Sequence, residues 1–474
     1  MPRALTHNPT LLQSLLQVAF RACISPLRGL LLRKLRHVRK AADRPHAPPV
    51  PGMRTEGALP IRLTGEPAAP QVHDFVTWRS PTYIDPMTWE VADNLAAVLA
   101  GPGRARAMTE AELVEGLLMT PSAYLAERDG HRWVIDLRRT ALYPHRTLTV
   151  RTVVVDPVGQ TLEITDHEGV THRRGDPTFS AALLHLTAWW LVYALGGLHN
   201  WVHFHLPDSM AEAHARLTNK DSVLARFLAP HVRFTSRINY AGLWENNSSH
   251  NPPDWRRSFT RLWAGPPTTS PEFRQGVVEN TSSHYTNLHA HFDLPDSLDG
   301  DVPYLAALKA WYPPFLQLVE ALDPAIDDAD WAELIGALEV GLPGIAQVPR
   351  IKLLSVFAWQ VGAVHATDHI SIAKRVLPHA FMWPPERIEA PFTVDDIHLV
   401  DRWKTLNCLA VFVDYNANPE LHNHLVDIDN YRFEGALHEA AVTFRKQLRG
   451  VASDLEALGL DLPGPDQLPQ SVCF

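Results

Sequence analysis

Cysteine is scarce in this chain: Cys23, Cys408 and Cys473 are the only three among 474 residues. They are too few and too scattered for a disulfide framework, so a reducing, cytoplasmic setting is expected and a thiolate metal site is excluded. No glycine-rich phosphate loop and no internal repeat can be read, which sets aside nucleotide-cradling and solenoid architectures. Basic charge is missing from most of the chain. Residues 1 to 45 hold nine Lys/Arg against the single Asp43, which leaves 34 basic and 51 acidic residues elsewhere and a net charge of −9 overall. A body of that sign is not expected to bind nucleic acid. A secretory leader is not read either, because glutamines break the early apolar run and no small-residue cleavage pattern follows.

What the chain does have is apolar mass and histidine. Hydrophobic residues make up 46% of it, with 14 Trp and 25 His, enough to bury a large core without crosslinks. The stretch from Leu11 to Val38 mixes Leu, Val and Phe with Arg and Lys. Residues 1–40 therefore read as a basic amphipathic helix, suited either to peripheral contact with an anionic membrane surface or to packing on the body of the protein. Residues 41–74, with "RPHAPPVPG", read as a Pro-rich linker, and 75–474 as the main domain. Within it, "HRWVIDLR" and "RTLTVRTVVVDPVGQTLEI" are strand-like runs around a Pro-Gly turn. Helices are expected near 179–225, 301–323, 328–340, 350–375, 396–412 and 432–457.

Charge is absent altogether from Phe179 to Pro207, 29 residues without Asp, Glu, Lys or Arg. Such a run is long enough to span a membrane. It carries His185, His199, Asn200, His203 and His205, however, and imidazoles facing hydrocarbon are costly without internal partners. A central helix buried on all sides explains the same composition. The expected fold is mainly α, a large helical domain around a long central buried helix, with a small β element near its start.

Two histidine clusters stand out. In "HATDH", His365 and His369 are four apart, which places them on one helix face within about 40°. In "HNWVHFHLPD" the same rule favours His199 with His203. His203 and Asp208, five apart, lie about 140° around an ideal helix, and a π-bulge near Pro207 would be needed to bring them together. Imidazole and carboxylate donors suit iron, manganese or zinc.

Around these clusters the chain resembles the lipoxygenase family. "DSMAEAHARLTNKDSVLARFLAPHVRFTSRIN" is similar to the family's ligand helix and the segment after it, "VPYLAALKAWYPPFLQLVEAL" to its Pro-Tyr helix, and "FAWQVGAVHATDH" to its second ligand helix. The ending "LPQSVCF" resembles the tail that carries the family's terminal carboxylate ligand. The resemblance implies a non-haem iron site, with manganese as the alternative, held by His203, Asp208, His365, His369 and the carboxylate of Phe474. Asp208 stands where the family has a histidine, and His199 or His205 is the alternative donor. It also implies hydrogen-atom abstraction from a polyunsaturated fatty acid or related lipid followed by addition of dioxygen. Trp189 and Phe204 would then line the substrate tunnel, and Gly242 would influence where oxygen attacks. The family's N-terminal β-sandwich domain has no counterpart here. Two other readings stay open: an oxidative enzyme of this fold acting on a non-lipid small molecule, and a non-catalytic lipid-binding or membrane-associated protein.

Overall fold

The structure is a computed structural model, and the residues it describes are 108–139, 150–233, 235, 285–376, 382–383, 398–399, 424–458, 464–465 and 468–472. The basic N-terminal segment, the Pro-rich linker, Gly242 and Phe474 lie outside them.

The described chain begins with helix α1 (Glu110–Leu118), nucleated by a capping box in which Thr109 Oγ1 accepts from Glu112 N and Thr109 N donates to the Glu112 carboxylate at 2.6 Å. Capping satisfies two amide groups that the helix itself leaves without partners. A five-stranded antiparallel meander follows in the order β1 (Ala126–Asp129), β2 (Arg132–Asp136), β3 (Val150–Asp156), β4 (Thr161–Asp166) and β5 (Thr171–His172). Its register follows the period-two pattern of the sequence: Trp133, Ile135, Val153, Val155, Leu162 and Ile164 are all buried, so one face packs inward while its neighbours in sequence meet solvent. The expected turn is present. The Asp156 carboxylate accepts from Val158 N and Gly159 N, an Asx turn that reverses the chain between β3 and β4.

Beyond the sheet the fold is helical. The charge-free run forms α2 (Phe179–Tyr193), a π-helical turn at Ala194–Leu198 and a 3-10 turn at Asn200–Val202. After it come α3 (Leu206–Arg216) and α4 (Val223–His231). The single long helix expected over 179–225 is therefore broken. Gly196 and Gly197 sit in the π turn, where low helical propensity makes the interruption inexpensive, and Pro207 starts a new helix at a first-turn position, where its missing N–H costs nothing. No helix among the described residues is long and apolar enough to cross a membrane.

The second half contains two short helices, α5 (Leu288–Phe292) and α6 (Leu294–Ser297). Longer ones follow: α7 (Pro303–Leu322), α8 (Asp328–Leu338), α9 (Arg350–Trp359) and α10 (His365–Ser371). α7 packs against α9 and against the last helix, α11 (Gly435–Ala457). Two polar contacts lock the α7–α9 pair, Trp359 Nε1 donating to Leu308 O at 2.9 Å and Tyr312 Oη to Ser355 Oγ at 2.9 Å. Buried indole and phenol groups find partners here, as a low-dielectric core requires. One expectation is corrected: within the helix expected at 396–412, His398–Leu399 instead pair antiparallel with Met382–Trp383.

The α1–α2 contact is close enough to test. A Cβ added at Gly116 would lie 2.8 Å from two ring carbons of Trp190, a fully buried indole whose Nε1 donates to Thr120 Oγ1 at 3.2 Å. In a free helix Gly→Ala stabilises by up to about 1 kcal/mol. Here the ring cannot yield without losing its hydrogen bond, so Gly116→Ala is expected to destabilise by about 1–3 kcal/mol. Denaturant unfolding decides the sign.

Candidate metal centre

Four imidazoles converge at the middle of the helical domain. Single nitrogens of His199, His203, His365 and His369 all lie within 4.8 Å of one another. Three of the side chains are buried, and His203 is half-buried and forms the open side of the cluster. His203 Nε2 is 3.1 Å from His199 Nε2 and 2.9 Å from His365 Nε2. The rings meet mostly edge to face, His365 with His369 at 4.5 Å, His199 with His369 at 4.6 Å and His203 with His365 at 4.6 Å between centroids.

Local structure explains how two pairs reach one point. His365 and His369 occupy consecutive turns of α10, and that helix is entered through a second π-helical turn, Gln360–Val364, continuous with α9. His199 follows the first π turn directly, and the 3-10 turn carries the chain on to His203. A wide turn before each pair re-aims the residues after it, the use to which π-bulges are commonly put at functional sites. Gln360 ties the two segments together. Its amide nitrogen donates to the carbonyl of Trp201 at 3.1 Å and to Tyr285 Oη at 2.9 Å, while its oxygen faces His291 Nε2 at 3.2 Å.

The surroundings disfavour the charged form of His199. Burial, and then the neighbouring rings of His369 and His203, hold His199 well below the usual histidine range. His199 Nδ1 faces Asp368 Oδ2 at 3.1 Å, and the other oxygen of Asp368 accepts from Tyr124 Oη at 3.2 Å. Burial pushes the Asp368 carboxyl well up, opposed by the bond from Tyr124, and burial raises the Tyr124 phenol as well.

The donor set fits a metal ion. An Nδ1–H aimed at Asp368 leaves His199 Nε2 as a lone pair directed at His203. His203 Nε2 has one in-plane position with which to answer two other Nε2 atoms. Two of the separations, 2.9 and 3.1 Å, are of the size found between neighbouring nitrogens around one cation, for which each bond is about 2.1 Å. Neutral imidazole, without thiolate, suits zinc, copper, iron or nickel.

Measured against the sequence reading, the structure brings His203, His365 and His369 together and replaces Asp208 by His199. Asp208 is buried in the first turn of α3, where its charge complements the helix N-terminus; the Tyr285 phenol is raised chiefly by its own burial and in smaller part by Asp208. The π-bulge imagined between His203 and Asp208 stands before His199 instead. His205 also stays outside the cluster; it precedes α3 with φ +73 and stacks on Tyr285 at 4.8 Å. Phe204 is buried with its ring 6.0 Å from His203, and Trp189 is buried against Tyr193 at 5.2 Å. Asp368, Tyr124 and Gln360 were not singled out from sequence. Asp368 carried a signal, being the one charged residue in the run from Leu353 to Ala373.

The chain's last described segment is seated beside this centre. Leu425 N donates to Leu468 O at 2.7 Å, and Asn430 Nδ2 to Gln470 Oε1 at 2.6 Å. His231 Nδ1 donates to Gln470 O at 2.7 Å, which leaves Nε2 to accept from Tyr431 Oη at 3.0 Å. A Cβ on Gly362 would stand 3.1 Å from the carbonyl of Pro469, so the absence of a side chain three residues before His365 is what lets the tail lie against that helix.

No family model and no curated protein matches the sequence. Solved lipoxygenase structures do match the fold. Coral 8R-lipoxygenase superposes with a TM-score of 0.62 at 12% identity, over 84% of this chain and 74% of that one. The manganese lipoxygenase of Gaeumannomyces graminis gives 0.58 at 11% identity, over 84% and 91%. A lipoxygenase in complex with arachidonate gives 0.60 at 13% identity, over 84% and 75%. The chain thus has a lipoxygenase-like catalytic-domain fold, mainly α with a small antiparallel sheet.

His231 yields a pH prediction. Burial lowers it from 6.5 to about 4, against the raising effect of its bond to Gln470, and His214 falls to about 4 for the same main reason. Below pH 6.5 the unfolded chain binds protons that the folded one refuses. Stability is therefore greatest above that pH and declines toward pH 4, by about 3 kcal/mol for His231. Urea unfolding at pH 7 and pH 4.5 should show a smaller decline for His231→Gln than for wild type; equal declines would contradict the assignment.

Proposed function

We propose that the chain is a lipoxygenase-like non-haem metal oxygenase that inserts dioxygen into a polyunsaturated fatty acid or related lipid. The observation that carries this reading is the convergence of four imidazole nitrogens from two segments of a lipoxygenase-like fold. His199, His203, His365 and His369 would hold the metal, with iron as the proposed ion; manganese is the alternative, since a neighbour is named a manganese lipoxygenase. When bound, such a metal supplies the one-electron chemistry by which a hydrogen atom leaves an activated methylene and dioxygen adds to the remaining carbon radical. That a structural neighbour was crystallised with arachidonate supports a fatty acid as the substrate class.

The chain's own residues define the rest. His199, His365 and His369 are closed off from solvent, so the substrate carbon has to approach on the half-buried side, at His203. Phe204, packed beside that ring, provides an apolar wall there. Holding an unreactive chain with one carbon beside the metal is the protein's main contribution, because proximity converts an encounter into an intramolecular step.

Metal analysis with oxygen uptake tests the reading. Purified protein should contain close to one equivalent of iron or manganese, consume oxygen with linoleate or arachidonate and develop conjugated-diene absorbance, while His365→Ala should be largely metal-free and inactive. Bound metal without uptake on any polyunsaturated acid would redirect the proposal to a non-lipid small molecule. Absence of metal would leave a lipid-binding role.

The Phe474 carboxylate, expected from the resemblance as a further donor, is addressed by appending one glycine after it. Displacing that carboxylate should speed loss of metal to a chelator, and an unchanged rate would remove Phe474 from the ligand set.

A further inference from the structure

Histidine ligands in metalloproteins depend on what their second nitrogen meets, because that partner chooses the tautomer and the ring orientation. His199 is served by an unusual arrangement. Asp368 sits on α10 between two cluster histidines, three residues after His365 and one before His369, yet its side chain reaches neither. It crosses to the other segment, with Oδ2 3.1 Å from His199 Nδ1, while Oδ1 accepts from Tyr124 Oη at 3.2 Å. Tyr124 Oη lies 3.5 Å from Tyr304 Oη on α7, and its ring packs edge to face on Trp201 at 5.8 Å and on Tyr304 at 5.6 Å. Asp368 is fully buried and His199 is 2% exposed, so water has little access to the pair.

We propose that Asp368, steadied by Tyr124, is a positioning residue that fixes His199 with its Nε2 lone pair toward the other three imidazoles and thereby lets this histidine take the place of a ligand from α3. The proposal rests on the four-histidine metal reading and deepens it. Both oxygens of Asp368 are engaged from different elements, the turn at Pro121–Leu125 and the segment after α2, so the carboxylate has one orientation that satisfies both. Without an acceptor at Nδ1, the His199 ring is free to place its proton on Nε2, where it would oppose metal binding. The fold contains a matched comparison: Asp166 and His172 form a similarly buried carboxylate–imidazole pair at 3.0 Å within the sheet, with His172 Nδ1 on Thr178.

The test uses full-length protein reconstituted with Fe(II) or Mn(II), reading metal release to a chelator for either ion and the electron paramagnetic resonance spectrum of bound Mn(II). Asp368→Leu, which removes both acceptors, should weaken metal retention about 10–100-fold and change the symmetry of the spectrum. Asp368→Asn keeps one amide oxygen for His199 Nδ1–H and should recover part of the loss. Asp166→Asn should leave both readouts at wild-type values, since its imidazole is not in the cluster. Should Asp368→Leu fail to fold, Tyr124→Phe decides in its place: faster release supports the proposal and an unchanged rate overturns it. Wild-type release kinetics and spectrum in Asp368→Leu would overturn the positioning role while leaving the metal centre intact. A wild-type protein that retains neither ion would remove the four-histidine reading and this proposal with it.

Discussion

Everything in the core answers to one requirement, the close approach of imidazole nitrogens that carry lone pairs. Separations of 2.9 and 3.1 Å between Nε2 atoms are unfavourable among neutral rings unless a proton or a cation lies between them. Burial makes charging the rings costly, and the rest of the domain holds the two segments at that distance. The Gln360 bridge to Trp201, the α7–α9 contacts and the π turns ahead of each pair all act on this spacing.

The carboxylate has moved, and this alters the chemistry expected of the site. An Asp208 ligand would bring an anion directly onto the metal and favour its oxidised state. With His199 in that place the donors from the two described segments are imidazoles, and Asp368 meets the cluster through His199.

The tail shows a parallel division of labour. His231, on α4, uses one nitrogen for the carbonyl of Gln470 and the other for Tyr431, so one buried residue joins three distant parts of the chain. Gly362 completes the seat by having no side chain where Pro469 passes. Neither contact involves the cluster, yet both lie beside the helix that bears His365 and His369.

Local patterns were legible from the sequence alone. The i, i+4 pair His365–His369, the preference for His199 with His203, the alternation of β2 to β4 and the buried, charge-free central run all depend on residues a few positions apart, where helix and strand geometry leave little choice. The competing expectation of Asp208 came from resemblance; α3 begins at Leu206 and carries Asp208 in its own first turn, while the four-histidine group takes in His199. Tertiary structure alone decided which donors meet, since the contact of Asp368 with His199 spans 169 residues. Such a contact is set by how helices pack and where their regular turns are interrupted, and neither leaves a periodic trace in the sequence.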